Sequence, residues 1–580
     1  MDAEKTSPHG GLPGAALTGS AMDALLGDPA EETNPVGRTA VLAADERREM
    51  LAEGEKLLDA VVLNAEFVPA GLGGRFTSVP RLAEVLRAVW RRDPSLGAGY
   101  GFSSFLAAVN VWCAGDAAQR RHTADVLLGG DRVAVAFHEL AHGNDFAQAE
   151  FQARAQGGGW QLTGRKETIA NLRRARALVL FARTGAAVGS RSHSEFLLDK
   201  AELPAAGWCD LPRYHTSGMR GLQLGGMEFT DCPIPGTALI GAPGQAVEIA
   251  LRAFQITRSM FPAVCVGSLD TALRITLDCA LERRLYGGTV ADIPFVRSTV
   301  ARAFADLLAI DALASVGVRA LHLAPESTAV YASASKFLGP RMMLDAFEDL
   351  RAVLGAQGYL RQGPHALFQK LFRDAAPITF THASRGACLS TILPQLPRLA
   401  RRSWLSGPAG PADLFDLDAP VPPLDFQRLA VGMPTTDGVI GALAEMAENV
   451  RAPGREDPLS RLVARFGAEL GELRSRCAEL SPSDLTMDAP AAAYELAERY
   501  TVVLAAACAL AVWRAGGERH PGRPDAGLLG VLDRLCGRLP GAGVLTATER
   551  ASLEAQLFDL AVARFTDRAL FDLTARPIPG

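Results

Sequence analysis

His138, Glu139 and His142 stand in the order H-E-x-x-H, the pattern in which two imidazoles one helical turn apart hold zinc and the glutamate serves as base. That chemistry needs a helix. The run VAVAF before the motif reads as a strand and Gly143-Asn144-Asp145 after it as a turn, so no metal is expected. Gly157-Gly158-Gly159 is no better as a phosphate loop, because no helix follows it; it reads as a β-turn and excludes a dinucleotide-binding Rossmann unit. The nine cysteines, Cys113, Cys209, Cys232, Cys265, Cys279, Cys388, Cys477, Cys508 and Cys536, are scattered without a C-x-x-C pair and read as reduced thiols of a cytoplasmic protein.

These residues sit in a chain of 580, about four domains' worth, with 48% hydrophobic and 21% charged residues, which excludes wholesale disorder and a disulfide-stapled scaffold. A net charge of -5 gives no basic field for a phosphate backbone, so nucleic acid is not an expected partner. Residues 1–40 lack a hydrophobic period, lack the basic start and apolar run of a secretory signal, and read as a disordered leader. Residues 41–132 repeat apolar positions at helical spacing and form an N-terminal helical domain. Short alternating or apolar runs bounded by Gly, Asn and Asp make 133–242 a middle β domain. Helical periodicity then returns over 243–405 in long segments that read as an antiparallel bundle, with a kink expected at Pro262. Five prolines mark 406–425 as a linker, and 426–580 gives four or five further helices. The longest apolar stretch, Thr501 to Trp513, is too short to cross a bilayer and reads as a buried helix.

Several local sequences, in order, resemble the acyl-CoA dehydrogenase family of flavoproteins. FVPAGLGG and LAEVLRAVWRRDPSLGAGY resemble the family's P-x-x-x-G-G segment and its following helix; AFHELAHGND is similar to T-E-P-x-A-G-S-D; GGWQLTGRKETIAN is similar to G-x-x-L-x-G-x-K-x-x-I-T-N. GMRGLQLGGMEFTDCPIP, the segment ending in ERRLYGG, LGAQGYL and LFRDAAPITFTHAS resemble the later motifs, so the likeness covers roughly 41–400. It implies a mainly α fold with a central, barrel-like β domain between an N-terminal helical domain and a helical bundle, here with a C-terminal helical extension like that of very-long-chain dehydrogenases and acyl-CoA oxidases. It also implies FAD as cofactor, an acyl thioester as substrate, and a homodimer or homotetramer.

Desaturating an acyl thioester requires a base for the α-proton, hydrogen bonds on the developing enolate, and a hydride acceptor. In the family pattern the base is a glutamate eight residues beyond the Asp of an R-D pair; here that Asp is Asp374 and the residue reached is His382. The alternative position for the glutamate, just before the bundle Arg, holds Thr257. An ordinary histidine is largely neutral at pH 7 and can take a proton or donate to an oxyanion, while the bland reading is a filler bonded to Ser384 or Arg385. The resemblance places His138, Asn144, Thr168, Ala170 and Ser384 beside the flavin, with Thr168 and Ala170 in place of the family's Trp and Thr. It places Arg283, Tyr286 and the Gly355 to Gly358 turn on the FAD pyrophosphate and adenine of a neighbouring subunit, and puts Pro294 where a Gln often reaches the cofactor. The bland reading of Arg283 is an ion pair with Glu282 or a bundle acid. Phe254 and Arg258 would flank the acyl and pantetheine channel, where Gln255 replaces an acid, which makes acyl carrier protein as plausible a thioester carrier as CoA. Three readings follow: an α,β-dehydrogenase using His382; a flavin oxidase or monooxygenase, one version of which takes a β-keto acyl substrate with decarboxylation; and a non-catalytic subunit.

Overall fold

The computed structural model describes residues 16–432, 434–450, 457–516, 525–541 and 543–579. Six helices of two turns or more precede the sheet, among them Gly19–Leu26, Val79–Arg92 and Ser103–Ala114. The first of these corrects the expected leader. Its Thr18 side chain caps the helix by accepting from the Ala21 amide, Met22 and Leu26 are buried, and Asp23 pairs with Arg91 and Arg576, each at 2.5 Å. Local composition missed it because its stability comes from residues far along the chain. The part of the leader before residue 16 lies outside the described residues.

The middle of the chain forms eight strands: β1 (Val133–Ala136), β2 (Gln152–Gln156), β3 (Gly159–Ala170), β4 (Ala177–Arg183), β5 (His193–Asp199), β6 (Trp208–Leu211), β7 (Leu224–Pro235) and β8 (Leu239–Ile240). Their order across the sheet is β6-β7-β3-β2-β4-β5-β8, with β1 parallel to β4. Period-two alternation sorts the side chains: Leu178, Leu180 and Phe196 fill the sheet's own core, while Val179, Phe181 and Leu197 face the main helical core. Gln156 pairs with Gly159, so Gly157 and Gly158, at φ of 57° and 82°, make the two-residue hairpin turn that their positive φ values allow. A break in register between Lys166 and Ile169 leaves Thr168 at a φ of 55°, bulged out of β3.

Three long helices, Ala246–Glu282, Pro294–Leu323 and Thr328–Leu354, form the bundle. Ala246–Glu282 runs through Pro262, where the kink is expected, as one helix of 37 residues. Pro262 packs on Gly339 of Thr328–Leu354, where an added Cβ would come within 2.9 Å of its ring. The helices Leu367–Ala375, Arg385–Ile392 and Leu396–Arg402 follow. The proline-rich stretch after them is fastened to the bundle, with Arg319 donating to the carbonyls of Asp413, Leu417 and Ala419.

Five helices close the described chain: Gly438–Val450, Pro458–Ala478, Ala491–Gly516, Asp525–Cys536 and Ala547–Thr566. Among the described residues two helices, Ala246–Glu282 and Ala491–Gly516, are long and apolar enough to cross a membrane, but 83% and 89% of their most apolar windows lie buried inside the protein. Asp437, buried at the start of the first C-terminal helix, accepts from Tyr331 Oη (2.9 Å), Tyr500 Oη (2.8 Å) and Trp404 Nε1 (3.1 Å), tying the extension to the bundle. Arg87 on Val79–Arg92 meets Asp311 at 2.6 Å and Asp572 at 3.0 Å, so the chain's last segment is knitted to its first domain.

Candidate active site

The R-D pair that precedes His382 is an anchor between domains. Asp374, fully buried, accepts from Lys370 Nζ (2.6 Å) and from the Met219 amide of the β domain (2.5 Å), while Lys370 also meets Asp93 at 2.5 Å. Arg373 reaches Asp45 at 2.7 Å and the Ser217 carbonyl at 2.8 Å. Two carboxylates around one ammonium raise the Lys370 pKa and keep it charged. This knot fixes where the chain enters the loop that carries His382.

His382 lies at a φ of 58°, a left-handed conformation unusual for a residue with a Cβ, and is 6% exposed. Two contacts hold the loop: Lys336 Nζ donates to the Ile378 carbonyl, and Ser384 caps Arg385–Ile392 by accepting from the Ala387 amide at 3.3 Å. The His382 ring stands edge-on to Phe254 (centroids 5.8 Å apart, 85°), tilted against Phe261 (5.8 Å) and across from His138 (6.5 Å). Its Nδ1 is buried with no hydrogen-bond partner among the described residues. It is bonded to neither Ser384 nor Arg385; the latter lies over Phe337 and near Glu498. Burial first, then the neighbouring His138 and the cations Lys336 and Arg258, push the His382 pKa well below the ordinary histidine value, so the ring is neutral at pH 7.

His138 follows β1 in a loop held by a buried pair. Lys166 Nζ donates to Glu139 Oε1 (2.7 Å) and to the Phe137 carbonyl (3.1 Å), and Glu139 also accepts from the amides of Glu150 and Phe151. The glutamate of the H-E-x-x-H pattern is thus spent on structure, in a turn rather than a helix, and no cluster of three metal-ligating side chains occurs among the described residues. The Glu167 amide donates to the His138 carbonyl (3.0 Å), which sets the Thr168 bulge beside this loop; Asn144 lies half-buried in the loop's turn. Ala170 ends β3 before Asn171, whose Nδ2 donates to Ser103 Oγ at 2.9 Å.

Phe254 and Arg258 share one face of Ala246–Glu282. Phe254 is buried against Phe137 and Phe146 as well as His382, and the Arg258 guanidinium stacks 5.2 Å from its ring. Gln255, one residue on, donates to the Ala430 carbonyl at 2.9 Å, so the segment after the proline-rich stretch covers this helix. The structure therefore brings together His382, His138, Phe254, Arg258 and Ser384, with Thr168 at the edge. Arg283, Tyr286, Gly355 and Gly358 make no contact with that cluster. Arg283 and Tyr286 are exposed, Tyr286 by 96%, and no ion pair joins Arg283 to Glu282 among the described residues. Sequence reasoning missed Lys336, which is 2% exposed and 4.5 Å from the centroid of Phe261, with its pKa pushed down to about 8 chiefly by burial. The available signal was a lysine set among apolar and small residues in VYASASKFLG.

Residues 244–382, which contain most of this cluster and end on His382, match the family model described as the acyl-CoA dehydrogenase C-terminal domain. Over these residues the chain is similar to the acyl-CoA dehydrogenase family. It is 27% identical over 247 residues to the human mitochondrial short-chain specific acyl-CoA dehydrogenase; the aligned stretch is 42% of this chain and 59% of that relative's length. The fold is shared with butyryl-CoA dehydrogenase from Megasphaera elsdenii at a TM-score of 0.57 and 17% identity, covering 65% of this chain and 98% of the other. It is also shared with the prolyl acyl carrier protein oxidase AnaB at 0.56 and 17%, covering 60% and 92%.

The residues around His382 fit FAD. A partnerless buried Nδ1 and the aromatic walls of Phe254 and Phe261 suit a planar ring system with hydrogen-bonding edges. On the exposed side, Gly355 holds a φ of 57° with open space where a Cβ would stand, which leaves its backbone approachable by a pyrophosphate, and Arg283 is a cation free to meet one.

Proposed function

We propose that this chain is an FAD-dependent oxidoreductase that oxidises an acyl thioester, or an acid derived from one, between its α and β carbons, with His382 as the group nearest the α-proton. The observation that carries the reading is the buried, neutral His382 with an unpartnered Nδ1. When bound, FAD supplies the acceptor for the β-hydride. Around that event the protein's own residues act on charge and water. Phe254 and Phe261 exclude solvent, and Nδ1 of His382 receives or donates a proton. His138, Asn144, Thr168, Ala170 and Ser384 would line the flavin, and Arg283, Tyr286, Gly355 and Gly358 would reach the FAD of a second copy, which supports a homodimer or homotetramer.

The depressed basicity of His382 supports a second reading, a flavin oxidase or monooxygenase whose enolate arises by loss of carbon dioxide from a β-keto acid and needs no protein base. A carrier-bound thioester is supported by the fold shared with an acyl carrier protein oxidase. Cysteines that are all free, eight of them buried, support a cytoplasmic, reducing setting. The test is anaerobic addition of acyl-CoA, acyl-carrier and β-keto acyl substrates to the purified flavoprotein, followed at the flavin bands. Bleaching that H382A abolishes, with flavin retained, supports the dehydrogenase; turnover that requires oxygen and releases carbon dioxide supports the second reading. A protein that takes up no flavin on reconstitution would overturn both and leave a non-catalytic subunit.

A further inference from the structure

Among the described residues, buried cations are compensated in a consistent way, with two exceptions. Arg75 meets Glu66, Arg87 meets Asp311 and Asp572, Arg91 meets Asp23, Lys166 meets Glu139, and Lys370 meets Asp93 and Asp374, all within 3.0 Å. Arg92, without a carboxylate, is satisfied by the carbonyls of Val36 and Gly27, and Arg319 by those of the 413–419 segment. Arg258 and Lys336 differ. Arg258 is 6% exposed; its one side-chain partner is the Ser333 hydroxyl at 3.3 Å, and its Nε has none among the described residues. Lys336 donates to a single carbonyl, that of Ile378, and otherwise faces the Phe261 ring.

The two cations stand on packed neighbouring helices and both act electrostatically on His382. Among the described residues no anion answers them. The nearby thiols Cys265 and Cys388 are buried, and burial pushes Cys265 up to about 12 and Cys388 up as well, so neither is a thiolate at pH 7. Holding two positive charges out of water without a counter-ion is costly, and the cost is recovered when an anion arrives. The walls around them decide which anion. Arg258 presents a planar N–H edge and Lys336 a point charge, flanked by Phe254 and Phe261. That suits a singly charged, planar group on an apolar body and offers too few donors for a phosphate.

We infer that Arg258 and Lys336 form the binding site for a carboxylate carried by the substrate, beside His382. The inference rests on the oxidoreductase reading for its substrate but not for its test. The carboxylate belongs either to a free short-chain acid or to the distal end of an acyl thioester, and two probe pairs separate these sources: butyrate against butyramide, and succinyl-CoA against butyryl-CoA.

Binding to the full-length flavoprotein is followed by calorimetry. In one of the two pairs the carboxylate-bearing probe is expected to bind at least about tenfold more tightly than its neutral counterpart. K336M and R258Q should each remove about tenfold or more of that preference while leaving the neutral probe's affinity unchanged, and K336R should retain most of it. Equal binding within both pairs, or a preference untouched by K336M, would overturn the site. If R258Q does not fold, the K336M and K336R comparison decides alone. Charge-dependent binding without any flavin reduction or oxygen consumption would keep the site and remove the oxidoreductase reading. Flavin reduction by a neutral acyl thioester, together with equal binding within both probe pairs, would do the reverse.

Discussion

The neutrality of His382 gives the protein a pH dependence that a single substitution isolates. An unfolded histidine titrates at about 6.5, whereas the folded ring is held well below that by burial, by the neighbouring His138 and by the cations Lys336 and Arg258. Because the folded pKa is depressed, the stabilising contribution is complete above about 6.5 and is lost as pH falls from there toward the folded value, since only the unfolded chain takes up the proton. Each pH unit in that window costs up to about 1.4 kcal/mol, so up to about 2 kcal/mol is gone at pH 5. Glutamine is close to histidine in size and does not titrate. Urea unfolding of wild type and His382→Gln at pH 7, 6 and 5 should therefore show wild type losing stability relative to the variant by that amount, with the difference flat above about pH 7. A stability difference that does not change between pH 7 and 5 would refute the placement of His382 as a buried, neutral ring.

Two further outcomes check other parts of the fold. Asp437→Ala leaves the buried hydroxyls of Tyr331 and Tyr500 and the indole of Trp404 without their acceptor, at about 1–3 kcal/mol each. Limited proteolysis should then cut the proline-rich stretch before the rest of the chain, while Asp437→Asn, which keeps an acceptor, should be milder. Glu195 is wholly buried on β5 with both carboxyl oxygens unpartnered among the described residues, and burial raises its pKa well above the usual carboxylate range. Its raised folded pKa means stability that is present below about 4.3 and lost as pH rises, so Glu195→Gln should be nearly neutral at pH 4.5 and stabilising at pH 8. A wild type that gains on the variant over that range would show the carboxyl to be ionised.

The sequence by itself determined the elements whose causes are local. Helical spacing in 243–405, alternation in 133–242 and paired glycines at 157 and 158 each follow from contacts a few residues apart, and the eight-residue step from Asp374 to His382 is likewise read along the chain. Tertiary structure decided everything that depends on compensation between distant residues. Arg258 and Ser333 are 75 positions apart, Asp23 and Arg576 are 553 apart, and no local period announces either contact. So the helix at 19–26 was invisible until its partners were in place, and Lys336 looked like any helical lysine until its surroundings proved to hold no carboxylate. A side chain's type is written in the sequence; whether its charge is answered is a property of what the fold packs around it.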